Sequence, residues 1–105
     1  MTALFATNYD TTVGAMMAIN ESGISVPEDL SVFGFDDMPF EKVIKPPLSV
    51  IAQPIVEIGH TAASLILDRM TGRNTGPAKI TVLKTSVELR NSVRQISSNT
   101  INDSV

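Results

Sequence analysis

The chain has 105 residues, a formal net charge of −3 at pH 7, one histidine and no cysteine, and this length allows one small domain or part of a larger one. Its 43% of hydrophobic and 18% of charged residues are typical of a globular protein. The lack of cysteine excludes disulfide scaffolds, cysteine zinc sites and cysteine nucleophiles. One histidine cannot build a multi-histidine metal site. Eight basic against eleven acidic residues argue against binding of this segment to a nucleic-acid phosphate backbone.

The first third of the chain has the pattern of a β-α-β unit. Residues 3–7 are a short apolar run, as expected of a strand buried on both faces. Residues 11–22 place apolar side chains at helical spacing before Gly23, and residues 30–35 are a second apolar run. This order predicts two parallel strands joined by a right-handed crossover helix. Gly14 in mid-helix predicts a close packing partner, because glycine there costs about 1 kcal/mol relative to alanine.

The rest of the chain gives weaker signals. Residues 36–47 contain Pro39, Pro46 and Pro47 and predict a loop with one short helical turn. A strand is predicted at 48–51, and a helix at 54–71 whose wide apolar arc predicts substantial burial.

A long final strand is predicted over residues 79–90. Its apolar positions are even-numbered at Ile80 and Val82 but odd-numbered at Val87 and Leu89. Such a change of phase indicates a strand that is bulged, or one that passes from one packing environment to another.

The two ends of the chain differ in character. Residues 3–6 are apolar with no lead-in or cap, so we expect the chain to be a piece of a longer protein. Residues 97–105 are polar, and a disordered tail is expected there. The start lacks the basic region and apolar run of a signal peptide, and no run approaches the ~20 apolar residues that span a bilayer. We therefore predict no membrane partner and take a cytoplasmic location as the default.

Polar residues follow both predicted parallel strands. Asn8 follows the first strand, and Asp36 and Asp37 follow the second. Ligands of parallel sheets bind beyond the carboxyl ends of the strands, and neighbouring strands are about 4.8 Å apart, so one small molecule could touch both sets. An amide donates and accepts whereas an ionised carboxylate only accepts, which suits the hydroxyl or N–H groups of a small polar ligand and would repel a phosphate.

The same residue types have other common uses. Asn8 and Asp10 are typical of helix N-caps, and Asp36 and Asp37 of a turn after a strand. Paired carboxylates also act as acid/base catalysts, but no histidine, lysine or metal ligand accompanies this pair. The sequence has no G-x-G-x-x-G, G-x-x-x-x-G-K-[ST] or G-x-S-x-G motif. We predict no enzyme activity, no cofactor and no metal.

Several segments occur in a specific order: FATN at 5–8 with VGAM at 13–16, VPEDLSVFGFDD at 26–37, PPLSVI and QP within 46–54, IG-x-x-A at 58–62, and ELRNS at 88–92. They resemble, in the same order, the ATND…A-x-G-A, VPEDISVIGFDD, PPLTTI-x-QP, LG-x-x-A and L-x-x-R-x-S segments of the lactose/galactose repressor (LacI/GalR) family of bacterial transcription regulators. The resemblance runs from about residue 3 to residue 93.

The resemblance implies an α/β, parallel-sheet, periplasmic-binding-protein-like (type I) fold that is partial: mainly the C-terminal subdomain plus a crossover helix and strand. Residues 1–96 would be the C-terminal part of an effector-binding domain. Within it, 1–45 would form the βαβ of the C-terminal subdomain, 46–78 the crossover strand and helix, and 79–93 the return strand. The change of phase near the chain end fits a strand that crosses between subdomains.

The resemblance also assigns ligand-binding residues. In the family, an asparagine at the position of Asn8 and the first aspartate of the GFDD run, here Asp36, commonly contact the effector. The family usually has aspartate directly after that asparagine, whereas this chain has Tyr9, with Asp10 one place later. A ligand that stacks on Tyr9 would fit this difference. The candidate ligand-binding residues are therefore these four.

The function implied is the effector-sensing and dimerisation part of a repressor. A sugar- or nucleoside-like molecule would shift the angle between subdomains and, through a homodimer, the DNA-binding heads. DNA contact would need a helix-turn-helix that this segment lacks. The apolar face of helix 54–71 needs a cover and predicts self-association beyond the dimer. Two alternatives stay open: the C-terminal part of a periplasmic sugar-binding protein, and a small Rossmann- or flavodoxin-like enzyme.

Overall fold

A computed structural model describes residues 1–96, and the predicted tail at 97–105 lies outside the described residues. The chain divides into two compact units: unit 1, described over residues 1–52 and 87–96, and unit 2, Gln53–Ser86. The elements in chain order are β1 (Ala3–Phe5), α1 (Tyr9–Ser22), β2 (Ser31–Phe35), α2 (Pro39–Val43), β3 (Ser49–Ala52), α3 (Ile55–Met70) and β4 (Ser86–Glu88).

The strands form one sheet in the order β1-β2-β3-β4. Strands β1 and β2 are parallel, with Phe5 opposite Phe33, and β2 and β3 are parallel, with Phe33 opposite Ser49. The predicted pair of adjacent parallel strands joined by a helix is therefore confirmed. Strand β1 is shorter than the predicted 3–7, although the Ala6 N–H still donates to the Phe33 carbonyl at 2.9 Å.

The core of unit 1 lies where α1 covers the sheet. It consists of buried apolar side chains from α1, from the two inner strands and from the residues that enter those strands: Met16, Ile19, Leu30, Val32, Leu48 and Val50. Half-buried side chains around this cluster, including Phe40 and Ile44, connect α2 and the residue after it to the same core. The short helical turn predicted within 36–47 is thus α2, and it is part of the packed unit.

Glycine marks the closest approach of α1 to the sheet, but at a position other than the predicted one. A Cβ at Gly14 would meet no atom of residues 1–96 within 4 Å, so the expected packing partner is absent from the described part of the chain. A Cβ at Gly34 would instead lie 3.3 Å from Thr12 and from Val50. The missing side chain of Gly34 lets the fully buried Thr12 of α1 sit against β2.

The prediction of a long strand over 79–90 is wrong in its extent. Only Ser86–Glu88 forms a strand, and residues 79–85 have no regular structure. A strand is held by hydrogen bonds to a neighbour, and no ladder partner for 79–85 exists among residues 1–96. Ile80 and Val82 are about nine-tenths exposed, so among residues 1–96 the change of phase does not separate two buried faces of a strand.

Unit 2 consists of α3 and the extended segment that follows it. The helix begins at Ile55, directly after Pro54, close to the predicted start. The predicted burial is not met, since no residue of α3 is buried. Ile58, Ala62 and Leu65 line an open groove of about 490 Å³ that Ile80 and Leu83 complete from the extended segment. No helix among the described residues is long and apolar enough to span a membrane.

Candidate functional site

The carboxyl ends of β1 and β2 lie at the same edge of the sheet. Phe5 and Phe33 are opposite each other, and Asn8 and Asp36 each follow by three residues. Since the strands are parallel and about 4.8 Å apart, the two polar residues leave the sheet from the same end. This is the arrangement on which the sequence prediction of a small-molecule site depended.

Asn8 begins α1 and serves as its N-cap. Its backbone is extended, with φ of −155°, and its side-chain Oδ1 accepts the N–H of Thr11 at 2.8 Å. The Thr12 hydroxyl donates to the Asn8 carbonyl at 2.7 Å, which fixes the residue from a second side. Asn8 is exposed, and with Oδ1 engaged in the cap its amide nitrogen is the group suited to donate to a ligand.

Asp10 is not a helix cap, contrary to one of the sequence interpretations. The helix begins at Tyr9, two residues before the predicted start, because Asn8 already supplies the cap. Asp10 therefore lies in the first turn, exposed, where a carboxylate interacts favourably with the helix dipole. This contact accounts for Asp10 without a ligand.

Tyr9 is half-buried against α2. Its ring meets the Phe40 ring edge-on, with centroids 6.2 Å apart and an interplanar angle of 85°. The contact ties the start of α1 to α2 and fixes the position of the tyrosine at the sheet edge.

Asp36 has the most unusual backbone of the candidate residues. It is the only non-glycine residue with positive φ among those described, at 75°. This left-handed region costs an ordinary L-residue roughly 1–2 kcal/mol, and aspartate is one of the few types that visits it. The Asp36 N–H donates to the Ile51 carbonyl at 2.8 Å, and the residue is half-buried. Backbone of this kind persists where the surroundings hold it and is frequent at ligand sites.

Asp37, which the sequence analysis considered for the small-molecule site, for a turn and for a catalytic pair, forms an ion pair with Arg90 at 2.8 Å. The same guanidinium donates to the Leu48 carbonyl, also at 2.8 Å. The Arg90 backbone N–H donates to the Ser49 hydroxyl. Sequence reasoning missed this arrangement because nothing local signals a pair 53 residues apart; the only available sign is the RNS segment that carries part of the resemblance.

The buried Ser49 and Ser92 join the segment around Arg90 to β2 and β3. The Ser92 hydroxyl donates to the Val32 carbonyl and accepts the Ser49 N–H. The Val32 N–H donates to the Ser92 carbonyl at 2.9 Å. Both serines have no exposed surface, so their hydroxyls need these partners. The segment around Arg90 is thereby fixed to the middle of the sheet.

Glu41 of α2 is fully buried beneath the loop that carries Asp36 and Asp37. One carboxylate oxygen accepts the Met38 N–H at 2.8 Å, and the other, Oε1, has no hydrogen-bond partner among the described residues. Burial raises the pKa of Glu41 above its ordinary value, against the opposing effect of the backbone hydrogen bonds. The nearby Asp37 charge raises the pKa of Glu41 further, and Arg90 lowers it.

The site offers groups that can bind a small polar molecule. Among residues 1–96, no group of three or more histidine, cysteine, aspartate or glutamate side chains could hold a metal ion. An amide donor, a carboxylate acceptor and an aromatic ring at one sheet edge can recognise the hydroxyl or N–H groups of a polar molecule.

The chain is similar to known proteins over most of its length. Residues 1–93 match the periplasmic binding protein-like domain family. The chain is 36% identical over 97 residues to the HTH-type transcriptional repressor PurR of Haemophilus influenzae, covering 90% of this chain and 29% of that protein. The chain spans under a third of the length of this curated relative.

Solved structures show the same fold. A LacI family transcriptional regulator from Enterococcus faecium with bound ribose superposes with a TM-score of 0.82 at 36% identity, covering 91% of this chain and 35% of that one. The lac repressor dimer bound to operator and an anti-inducer superposes with a TM-score of 0.74 at 33% identity, covering 88% of this chain and 32% of that one. The predicted family resemblance and the predicted fold are both confirmed.

Proposed function

This chain belongs to the periplasmic binding protein-like domain family, in the form shared with LacI-type repressors, and from this membership we propose that it senses a small sugar- or nucleoside-like effector for a DNA-binding transcriptional repressor. The observation that carries the proposal is the parallel register of β1 and β2, which brings Asn8 and Asp36 to one edge at equal distances along their strands. The ribose held by the Enterococcus faecium relative supports a sugar-like effector.

Each candidate residue has a role in this proposal. Asp36 accepts hydrogen bonds from effector hydroxyl or N–H groups, and the Asn8 amide nitrogen donates to effector oxygens. Tyr9 offers a ring edge or face for stacking next to Phe40. Asp10 lies at the exposed periphery of α1 and contributes least.

The domain assignment is part of the proposal. Residues 1–45 belong to the C-terminal subdomain of an effector-binding domain, 46–78 to a crossover, and 79–93 to a return segment. Effector binding changes the angle between subdomains and is transmitted to DNA-binding regions of the complete repressor. The relatives named as repressors favour this function over that of a periplasmic sugar-binding protein or a Rossmann- or flavodoxin-like enzyme. A regulator that acts on DNA works in the cytoplasm.

Self-association is the proposed partner interaction of this chain. The exposed apolar side chains of α3 include Val56, Ile66, Leu67 and Met70, each more than half exposed. Apolar surface of this extent on one helix favours contact with a second copy. The lac repressor relative, which was solved as a dimer, supports a second copy of the chain as the partner. Light scattering at high protein concentration should show a dimer or larger species, and a monodisperse monomer would contradict it.

A thermal-shift screen of sugars and nucleosides on the full-length protein tests the effector site. We expect at least one compound to raise the melting temperature, because a ligand that binds only the folded state stabilises it. Asp36→Ala should remove the shift, whereas Asp36→Asn keeps a residue that tolerates the left-handed backbone and should retain part of it.

The control is Asp68→Asn, which changes an aspartate of α3 in unit 2. This variant should keep the full thermal shift. If Asp36→Ala keeps it as well, the assignment of Asp36 to the effector is wrong.

A further inference from the structure

We propose that Arg90 is a positioning residue for the effector site: its guanidinium holds Asp37, and Asp37 holds the left-handed backbone of Asp36 in place. The consequence for effector binding rests on the proposed function. The mechanical part of the proposal concerns the chain without ligand and can be tested separately.

Arg90 connects the loop after β2 to Leu48 and to Ser49, the first residue of β3. Its guanidinium donates to the Asp37 carboxylate and to the Leu48 carbonyl, both at 2.8 Å, and its backbone N–H donates to the Ser49 hydroxyl at 2.8 Å. The side chains of Leu48 and Ser49 are fully buried. The two ends of the planar guanidinium therefore join the buried residue before β3 to the loop after β2, which a single-point ammonium could not do.

The backbone of Asp36 needs such support. Its φ of 75° is sparsely populated for a residue with a side chain, and neighbouring structure must hold it there. The Asp36 N–H bond to the Ile51 carbonyl holds it on the amino side. The Asp37–Arg90 ion pair holds the next residue on the carboxyl side. Between these two anchors the Asp36 carboxylate keeps one direction relative to the sheet edge.

The environment of the ion pair makes it a better anchor than a surface pair. The Arg90 and Asp37 side chains are only 17% and 21% exposed, so solvent screens their attraction less than that of an exposed pair. The chain on the far side of Arg90 is fixed as well, because Ser92 is fully buried and bonded to Val32 and Ser49. Arg90 therefore belongs to a segment that is itself fixed to the sheet. It positions Asp36 through Asp37 and does not contact the effector.

Amide hydrogen exchange measured by NMR on the ligand-free chain tests the mechanical part. The Asp36 amide, bonded to Ile51, reports the anchored loop, and the Ala6 amide, bonded to Phe33, reports the sheet. In Arg90→Gln, the Asp36 amide should exchange at least about tenfold faster while the Ala6 amide is unchanged, as expected of a local opening. In Arg90→Lys, the exchange rate of the Asp36 amide should lie between those of wild type and Arg90→Gln, because an ammonium reaches Asp37 but cannot also span to Leu48.

The matched control is Arg94→Gln, in an exposed arginine of the same segment whose backbone, and not its side chain, bonds to Ser31. Exchange in this variant should match the wild type. If Arg90→Gln leaves the Asp36 amide unchanged, or speeds Asp36 and Ala6 equally, Arg90 does not position Asp36 and the proposal is wrong.

Titration with D-ribose tests the consequence for the site. Arg90→Gln should weaken ribose binding by about tenfold, and it should weaken it much less in the Asp36→Asn background, because both changes act through one carboxylate. Equal weakening in both backgrounds would overturn the route through Asp36. If wild type does not bind D-ribose, D-ribose is excluded as the effector, whereas the exchange experiment still decides the role of Arg90.

Discussion

Unit 1 and unit 2 differ in how much of their apolar surface is buried. Unit 1 has a core of six buried apolar side chains, and its buried serines are hydrogen-bonded across segments far apart in sequence. Unit 2 has a longer helix than any in unit 1, yet no residue between 53 and 86 is buried. Helix length and apolar content therefore do not determine burial; a second surface on the opposite side does.

The comparison predicts where a large-to-small substitution matters most. Leu48→Ala removes a fully buried side chain of unit 1 and should lower the free energy of unfolding by about 2–5 kcal/mol. Leu67→Ala removes the same atoms from a 57% exposed position of α3 and should change it by less than about 1 kcal/mol at a protein concentration low enough to keep the chain monomeric. Urea denaturation followed by circular dichroism measures both. If the two variants lose the same free energy of unfolding, α3 is covered in solution by another surface.

Gly34 of β2 and Gly14 of α1 sharpen the comparison within unit 1. Gly34→Ala places a Cβ 3.3 Å from Thr12 and Val50 and should destabilise the fold by about 1–3 kcal/mol. Gly14→Ala meets open space and replaces a poor helix former, so it should stabilise by up to about 1 kcal/mol. Thermal denaturation of the two variants should therefore shift the midpoint in opposite directions, and shifts of the same sign would contradict this packing.

The cap of α1 should contribute less than the core. Asn8→Ala removes the acceptor of the Thr11 N–H and should cost about 1 kcal/mol, whereas Asn8→Asp keeps a capping oxygen and should be close to wild type. Helix α3 has no side-chain cap to lose. Chemical denaturation distinguishes these outcomes, and a loss in Asn8→Asp equal to that in Asn8→Ala would show that capping is not the contribution of Asn8.

Glu41 should give the smallest effect and one that depends on pH. Burial holds the pKa of Glu41 above its ordinary value of 4.5, so the folded state binds the proton more tightly than the unfolded state does. The stability that this group contributes is present below about pH 4.5 and is lost as the pH rises through its raised folded pKa. Wild type should therefore lose stability relative to Glu41→Gln as the pH rises towards neutral.

Denaturation at a series of pH values measures this difference. Glu57→Gln, in an exposed glutamate of α3, is the matched control and should show no comparable trend. If wild type gains stability relative to Glu41→Gln as the pH rises, the buried carboxyl of Glu41 is stabilised in its charged form and the assignment of its pKa direction is wrong.

Local sequence signals predicted most of unit 1. Apolar runs, the residue types around Asn8 and Gly23, and the crossover rule give two parallel strands with a helix between them, and hence the shared edge of Asn8 and Asp36. Two errors were also local: Asp10 was considered as a cap where Asn8 already caps the helix, and a close contact was expected at Gly14 where it lies at Gly34. Helical spacing does not show which side of a helix meets the sheet.

The missed parts depend on contacts between distant residues. The Arg90–Asp37 and Ser92–Val32 contacts join residues 53 and 60 positions apart, and no spacing in the sequence marks them. The prediction of a long strand over 79–90 was wrong for the same reason. Strand propensity does not show whether a neighbouring strand is present to form the hydrogen bonds. Burial of Glu41 was not predicted either, since a glutamate is normally exposed.

Because Ser92 bonds to Val32 across 60 residues, the sheet of unit 1 is completed by a segment that the ribosome makes after all of unit 2. Until that segment emerges, nascent β2 and β3 lack the arginine and serine that later bond to Asp37, Leu48 and Ser49. A nonsense codon before position 90 would thus damage the middle of the sheet and not merely trim its periphery.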